Sequence, residues 1–377
     1  MPFFDQHETI FKDLDTLLAW LRHNKSLQNA VLQAIDLRSS GINWQQLNID
    51  RTAFLGCFLS EEDERFLIGQ GAYFYPAHPN LPYQPFRKGL YTWQELMDGY
   101  DPVNDQSTDL KIYTHFVQSR FNPPLLEALS QRIHDHSIDD ALRELIEVDD
   151  QGNTVKKCVG IMGGHSTSRL DPFYRKTVET SYLLAKAGYL VVSGGGPGIM
   201  EAANLGAYLS VYPSTIIDEA LDILQVAPSY KDPGYIESAR RLIEMYPAGA
   251  SSLAIPTWFY GHEPSNLFAS HIAKYFSNSI REDTLLAISL HGIVFAPGSA
   301  GTTQEIFMDA TQNHYGTFQY YSPMVFLGNK RYEIDTLIFP LLKQLSWEKD
   351  YHQLLHLTNH PSEVLRFLQE HPPIRKK

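Results

Sequence analysis

Two different hydrophobic periods follow one another in the first 60 residues. Four leucines at positions 14, 17, 18 and 21 recur at helical spacing and predict an amphipathic opening helix. From Leu32 the apolar positions are five residues apart, a period that neither a helix nor a flat strand buries. A square-coiled β-solenoid does bury it, because each side of the coil takes five residues and turns two of them inward. The two series are Leu32, Leu37, Ile42 and Leu47, and Trp44, Ile49, Phe54 and Leu59.

The segment 34–60 therefore predicts a short pentapeptide-repeat-like β segment, with ordinary short strands as the alternative. Residues 75–100 are rich in Pro and Tyr and predict an irregular connection, which is either packed or a lid over a neighbouring site. A short helix is expected near 92–97, and the period of 105–148 predicts further helices.

From Val155 the pattern changes to short apolar runs, each followed by a turn and then a helical period. This order is typical of βα units and a parallel sheet flanked by helices, so we expect an α/β fold. The polar stretch 149–157 predicts a boundary between an N-terminal mixed domain, 1–150, and an α/β domain, 151–377. The predicted strands are CVGIM at 158–162, YLVVS at 189–193, SSLAIP at 251–256, GIVFA at 292–296 and MVFLG at 324–328.

Composition narrows the range of partners. The chain has 31 Lys and Arg against 43 Asp and Glu, a net charge of −12, so we expect no nucleic-acid partner. The start, MPFFDQHETIFKD, is acidic where a secretory signal is basic and apolar, and no apolar run approaches the roughly 18 residues that span a bilayer. We expect a soluble, cytoplasmic protein without a membrane partner. Cys57 and Cys158 are too few for a disulfide framework or a thiolate zinc site, and we expect neither a metal nor a cofactor.

Two glycine-rich turns carry the candidate chemistry. Gly194, Gly195 and Gly196 follow one predicted strand, and 297–305 follows another, each directly before a helix. Unpaired amides and the positive end of the helix dipole favour an anion there, and glycine lets the backbone approach a phosphate. The chain has neither a GxxxxGK[ST] loop nor a GxGxxG dinucleotide motif, so a mononucleotide or sugar phosphate fits better than ATP or NAD.

The same turns resemble a known family. GGGPGIMEAANLGA at 194–207 is similar to the GGGxxGxM loop of the LOG (LONELY GUY) family, and PGSAGTTQE at 297–305 is similar to its PGGxGTxxE loop. The resemblance covers roughly residues 155–330. It implies a Rossmann-like fold, a homodimer or larger homo-oligomer, and a nucleoside 5′-monophosphate as substrate. The implied reaction is hydrolysis of the N-glycosidic bond to free base and ribose 5-phosphate.

The resemblance also implies roles for individual residues. Its catalytic glutamate falls on Glu305 and its catalytic arginine on Arg281. Its phosphate-binding loop falls on four residues, of which one departs from the family pattern: a serine stands in place of the second glycine. A positive φ there would weaken phosphate binding, whereas the serine hydroxyl could donate to the phosphate instead. The four residues are Gly298, Ser299, Gly301 and Thr302.

Breaking a C1′–N bond builds positive charge on the ribose, which a nearby carboxylate stabilises while it orients the attacking water. Glu305 would do this. The acid that protonates the leaving base is left open among Glu263, Glu201 and Asp309. The alternative function is a binding protein without turnover, such as a carrier of a nucleotide-like molybdenum cofactor. Further ligand contacts are expected from Gly163, Ser166 and His262, which follow predicted strands.

Overall fold

The computed structural model describes residues 9–77, 80–147 and 155–376. Their contacts form two compact groups. The stack unit comprises 9–77, 80–90 and 121–142, and the α/β unit comprises 91–120, 143–147 and 155–376. Residues 91–120 thus group with the later part of the chain, whereas the sequence predicts one division at residue 150. Most of the predicted boundary stretch 149–157 and the first eight residues lie outside the described residues.

Four short strands of the stack unit pair in parallel and in chain order. Val31 pairs with Ala53, which pairs with Tyr73 on its other side, so successive strands are 20 to 22 residues apart. Parallel bridges also join 26 to 48 and 36 to 58, five residues on either side of the Val31–Ala53 pair. This spacing agrees with the predicted coil of five-residue sides, and the coil extends beyond 34–60. The strands are β1 (Ile10–Phe11), β2 (Val31–Gln33), β3 (Ala53–Leu55) and β4 (Tyr73–Tyr75).

The two five-residue series supply much of the core of the stack unit, together with side chains from β1, α1 and α2. Phe54 stacks on Phe74 with ring centroids 4.7 Å apart, one coil above the other. The predicted opening helix is present as α1 (Leu14–Leu21), and Asp13 begins it by accepting a hydrogen bond from the Thr16 amide. A second helix, α2 (Glu61–Gly69), follows the third strand. Leu32, Leu37, Trp44, Ile49 and Phe54 are buried, with Ile42, Leu47 and Leu59 partly buried against them.

The α/β unit contains a seven-stranded sheet in which every pair is parallel. The predicted α/β class with a Rossmann-like parallel sheet is therefore confirmed. The sheet strands are β5 (Cys158–Met162), β6 (Leu190–Ser193), β7 (Leu253–Ala254), β8 (His271–Ile272), β9 (Ile293–Phe295), β11 (Met324–Leu327) and β12 (Leu355–Thr358). The order across the sheet is β12-β11-β9-β5-β6-β7-β8, so β5 has β6 on one side and β9 on the other. A separate antiparallel pair joins β10 (Tyr320–Tyr321) to β13 (Ile374–Arg375).

Helices connect and cover these strands. Before the sheet in the sequence lie α3 (Trp93–Leu96), α4 (Thr108–Val117) and α5 (Leu125–Ile146), and most of α5 belongs to the stack unit. The sheet itself is interleaved with α6 (Pro172–Lys186), α7 (Ile199–Leu209), α8 (Ile216–Leu224), α9 (Tyr235–Met245), α10 (Asn278–Ile288), α11 (Ala300–Tyr315), α12 (Ile338–Leu345) and α13 (Pro361–Glu370). α6, α7 and α13 bury apolar side chains in one cluster with the central strands. Asp171 caps α6 by accepting a hydrogen bond from the Phe173 amide, and Pro172 is the first residue of the helix.

None of the described helices is long and apolar enough to cross a membrane.

Candidate functional site

Three loops meet at the carboxyl edge of the sheet, beside β5. The Gly164 amide in the loop after β5 donates to the Pro297 carbonyl after β9 at 3.1 Å. The Ile199 amide, at the start of α7, donates to the Gly164 carbonyl at 3.1 Å. The loops after β5, β6 and β9 are therefore linked by backbone hydrogen bonds at the point where strand order changes direction. In open α/β sheets this is where ligands bind.

The loop after β9 leads directly into α11. A Cβ on Gly298 would overlap the Thr302 side chain and lie 3.0 Å from the Gly164 amide nitrogen, so this position requires glycine. Ser299 has a φ of −108°, so serine is unstrained where the family pattern has glycine. Ser299 and Gly301 are exposed, and the Ser299 side chain caps none of the first amides of α11. The helix thus presents its positive end at an exposed edge, where an anion is favoured.

Arg281 and Glu305 lie together at this edge. Arg281 Nη1 is 3.4 Å from Glu305 Oε1, and Arg281 Nε donates to the Ile255 carbonyl at 2.8 Å. Arg281 Nη2 reaches the Gly194 carbonyl at 3.5 Å. Burial raises the pKa of the Glu305 carboxyl, and the Arg281 charge offsets part of that rise. One arginine therefore connects the ends of two strands to the carboxylate on α11.

The glycines at 194–196 are buried among protein side chains. Gly195 has a φ of +80°, and a Cβ there would lie 2.8 Å from Pro256. A Cβ on Gly194 would lie 2.5 Å from Arg281 Nη2, and one on Gly196 would lie 2.5 Å from Glu263 Oε2. The loop is small so that Arg281 and Glu263 can approach its backbone closely. Its role in binding phosphate stays a prediction.

The remaining predicted contacts are spread along the edge. Gly163 packs on Ile199, where a Cβ would lie 2.6 Å from the isoleucine side chain, and Ser166 is exposed in the same loop. His262 points its Nε2 toward Asp109 of α4, with 3.6 Å between that nitrogen and Asp109 Oδ2. Burial lowers the pKa of His262. The structure therefore brings Gly163 and Ser166 to the loop junction, and His262 to the neighbouring helix.

The three candidate acids have different environments. Glu201 is buried in an ion pair with Arg169, 2.5 Å between Oε1 and Nη2, and also accepts from the Tyr174 hydroxyl. Asp309 is buried, and its Oδ2 has no hydrogen-bond partner among the described residues. The Glu201 carboxylate is held by Arg169, whereas Glu263 Oε2 lies beside Gly196 in the loop after β6. Glu263 is therefore the candidate with access to a ligand bound there.

Two residues whose contacts shape the carboxyl edge of the sheet, Asp109 and Arg331, were not predicted from the sequence. Asp109 is buried and accepts hydrogen bonds from Lys274 Nζ at 2.7 and 2.9 Å, and from Trp258 Nε1 at 2.7 Å. It fixes α4 against the residues that follow β7 and β8. Arg331 Nη2 donates to the Gly298 carbonyl at 2.6 Å, which holds the loop before α11. An aspartate in the first turn of a helix is so common that only the three-dimensional contacts distinguish this one.

Within the described residues, no group of three or more His, Cys, Asp or Glu side chains is arranged to hold a metal ion.

Comparison with known proteins gives one family match and a set of similar structures. The sequence model of the SLOG cluster4 family matches residues 156–210. No curated protein matches the chain. A molybdenum cofactor binding protein of Rippkaea orientalis is 14% identical, with a TM-score of 0.38 over 58% of this chain and 98% of the other. The Moco carrier protein of Chlamydomonas reinhardtii is 16% identical, with a TM-score of 0.35 over 57% and 99%.

The matched residues run from β5 through α7 and include the first two edge loops. They contain neither Arg281 nor Glu305. The narrower resemblance to the LOG family therefore stays a prediction. Over its first two βα units the chain is similar to the SLOG cluster4 family.

Proposed function

We propose that the carboxyl edge of the sheet binds a nucleoside 5′-monophosphate or a nucleotide-like phosphate ester. The exposed start of α11 supplies amides and a positive helix end for a phosphate, and the three linked loops form the edge around it. Gly298 allows the loop before α11 to pack closely on Thr302 and Gly164, where a Cβ would collide. Arg281 adds a positive charge at the same edge.

The largely buried Arg281–Glu305 pair is the observation that favours hydrolysis of the N-glycosidic bond. Glu305 would stabilise the positive charge that develops on the ribose and take a proton from the attacking water. The water oxygen bonds to C1′ while the C1′–N bond breaks and its electron pair stays on the base nitrogen. Glu263, beside Gly196, is the residue placed to protonate that nitrogen. The products are the free base and ribose 5-phosphate.

In this proposal Glu305 acts as a carboxylate. Because burial raises the pKa of Glu305, activity is expected to fall, as pH is lowered, at a higher pH than for an exposed glutamate. The Glu305→Gln variant is expected to bind the nucleotide and to lose about 10²–10⁴ in turnover. A panel of nucleoside monophosphates would be assayed for free base and ribose 5-phosphate, with Glu370→Gln, exposed at the end of α13, as the matched control.

Carriage of a nucleotide-like molecule without turnover is the second candidate. The SLOG cluster4 match supports it, since residues 156–210 contain two ligand-edge loops but not the pair on which hydrolysis depends. Two similar structures are described as molybdenum cofactor binding and carrier proteins, so that cofactor belongs in the panel. Tight binding without product would favour carriage. If no nucleotide bound, nor ribose 5-phosphate, nor the molybdenum cofactor, both candidates would be wrong.

A further inference from the structure

A second feature of the α/β unit is a cavity of about 640 Å³ next to the edge loops. Its walls come from the residues before and at the start of α4, from 230–237 at the start of α9, and from 262–265 after β7. Its size is within the range of small-molecule sites. None of the residues assigned above to phosphate binding lines it.

The lining is aromatic and acidic. Asp105, Asp232 and Glu237 supply carboxylates, against Lys231 as the one lysine or arginine among the described residues that line the cavity. The Tyr100 hydroxyl donates to Glu237 Oε1 at 3.3 Å. Burial, together with the neighbouring Glu237 charge, raises the pKa of Tyr100 to about 12, so this hydroxyl stays a donor at physiological pH. Such walls suit a flat ring that carries hydrogen-bond donors or positive charge.

His262 adds an unused polar atom to this cavity. Its Nε2 is buried and has no hydrogen-bond partner among the described residues. The nearest charged oxygen, on Asp109, is 3.6 Å away, and that carboxylate is already taken by Lys274 and Trp258. A buried nitrogen without a partner is costly.

The cavity is joined to the phosphate edge by direct contacts. The rings of His165, in the loop after β5, and Tyr230, in the cavity wall, have centroids 6.3 Å apart. Arg169 ends the same loop and donates to the Ala227 carbonyl and to Ser238 Oγ, which holds the segment that carries the wall. The residue after His262 is Glu263, whose carboxylate lies against Gly196. A molecule with its phosphate at α11 thus has this cavity beside it.

We infer that the cavity binds the base of the nucleotide and selects bases that carry an exocyclic amine. The inference rests on the proposed function. An amine donates to the carboxylates of Asp105 and Glu237, whereas a carbonyl oxygen at the same ring position would face them with like partial charge. AMP and CMP are therefore preferred over IMP and UMP, which differ from them at that position.

The test measures dissociation constants for AMP, IMP, CMP, UMP and ribose 5-phosphate by calorimetry. Wild type and the Glu305→Gln chain are both used, since the latter leaves the nucleotide intact. AMP is expected to bind about tenfold more tightly than IMP, and CMP than UMP, as for one charge-assisted hydrogen bond. Asp105→Asn and Glu237→Gln should bring both ratios toward one and leave ribose 5-phosphate binding unchanged.

The control is Glu244→Gln, an exposed glutamate on α9 that does not line the cavity; it should keep both ratios. Asp105→Asn retains the oxygen that accepts from the Ser107 amide, so the local turn is preserved. Ribose 5-phosphate binding with equal affinity for AMP and IMP would overturn the cavity inference alone. So would a preference that survives both cavity variants. Absence of binding by all four nucleotides and by ribose 5-phosphate would instead overturn the proposed function.

Discussion

The stack unit and the α/β unit both build parallel sheets, but they return the chain to the next strand in different ways. In the stack unit the strands recur after only 20 to 22 residues; the return from β2 to β3 contains no α-helix, whereas α1 and α2 lie in the other two returns. In the α/β unit the return from β5 to β6 is the 15-residue helix α6. The sheet order then jumps, so that β9 takes the place on the other side of β5.

This difference explains where the chemistry is concentrated. A coil repeats the same inward and outward positions, so no one edge collects a special set of side chains. Helical crossovers bring loops and helix starts to one edge of the sheet, and the change in strand order leaves a crevice there. Gly164, Gly198 and Gly298 meet at that crevice from three separate parts of the sequence. Repeated inward positions build the core of the stack unit, whereas the change in strand order creates the candidate site of the α/β unit.

The largest loss of stability is expected from a substitution at a repeated inward position of the coil. Phe54 is 1% exposed and stacks on Phe74, whereas Phe58, on the next side of the same coil, is 50% exposed. Phe54→Ala is expected to lower the free energy of unfolding by about 3–5 kcal/mol, because it leaves a cavity in the core. Phe58→Ala, the control, should change it by about 0.5 kcal/mol or less. Urea unfolding followed by fluorescence measures both; equal losses would contradict the coil arrangement.

A smaller loss of stability is expected from a substitution where two crossover helices approach closely. A Cβ on Gly206 of α7 would overlap the Val178 carbonyl of α6. Gly206→Ala is therefore expected to cost about 1–3 kcal/mol, since the helices must move apart. Gly69→Ala, at the end of α2 with open space around it, should instead stabilise by about 0.5–1 kcal/mol. Thermal unfolding of the two variants would show whether the α/β unit depends on this approach, and a stabilised Gly206→Ala would show that it does not.

The smallest change in stability is expected at Asp309, a single buried carboxyl on α11. Burial raises the pKa of Asp309 well above its ordinary value. Below about pH 3.9 both folded and unfolded chains are protonated there, and above it the unfolded chain ionises first, so folding stability falls as pH rises. Because asparagine does not ionise, Asp309→Asn removes this loss of stability at higher pH. Its gain in stability over wild type should be larger at pH 8 than at pH 5 in urea unfolding, and an equal gain at both would contradict the assignment.

Much of the architecture could be predicted from periods and turns. The five-residue series predicted the coil. β1 and β4 were not predicted, because each contributes too few inward residues to show a period. The alternation of apolar runs and helices led to the parallel sheet. The grouping of 91–120 with the α/β unit could not be predicted, because its contacts, such as that of Asp109 with Lys274, join residues far apart in the sequence.

The residues of the candidate site could be predicted from the sequence better than the contacts between them. The motif led to Arg281 and Glu305, and the structure brings them within 3.4 Å. It also led to Gly194, Gly195 and Gly196, but a motif does not show that Pro256, Glu263 and Arg281 fill the space around them. Arg331 carries no local signal at all, since its partner is a backbone carbonyl that any residue offers.

The coil also limits how the stack unit can change its length. Phe54 lies over Phe74 because the side chains of neighbouring coils are in register. Insertion of a single amino acid between them would turn every later inward position by one step and expose the aromatic column to water. Gain or loss of a full circuit of about 22 residues would leave that column intact, so natural variation in this region should come in whole circuits.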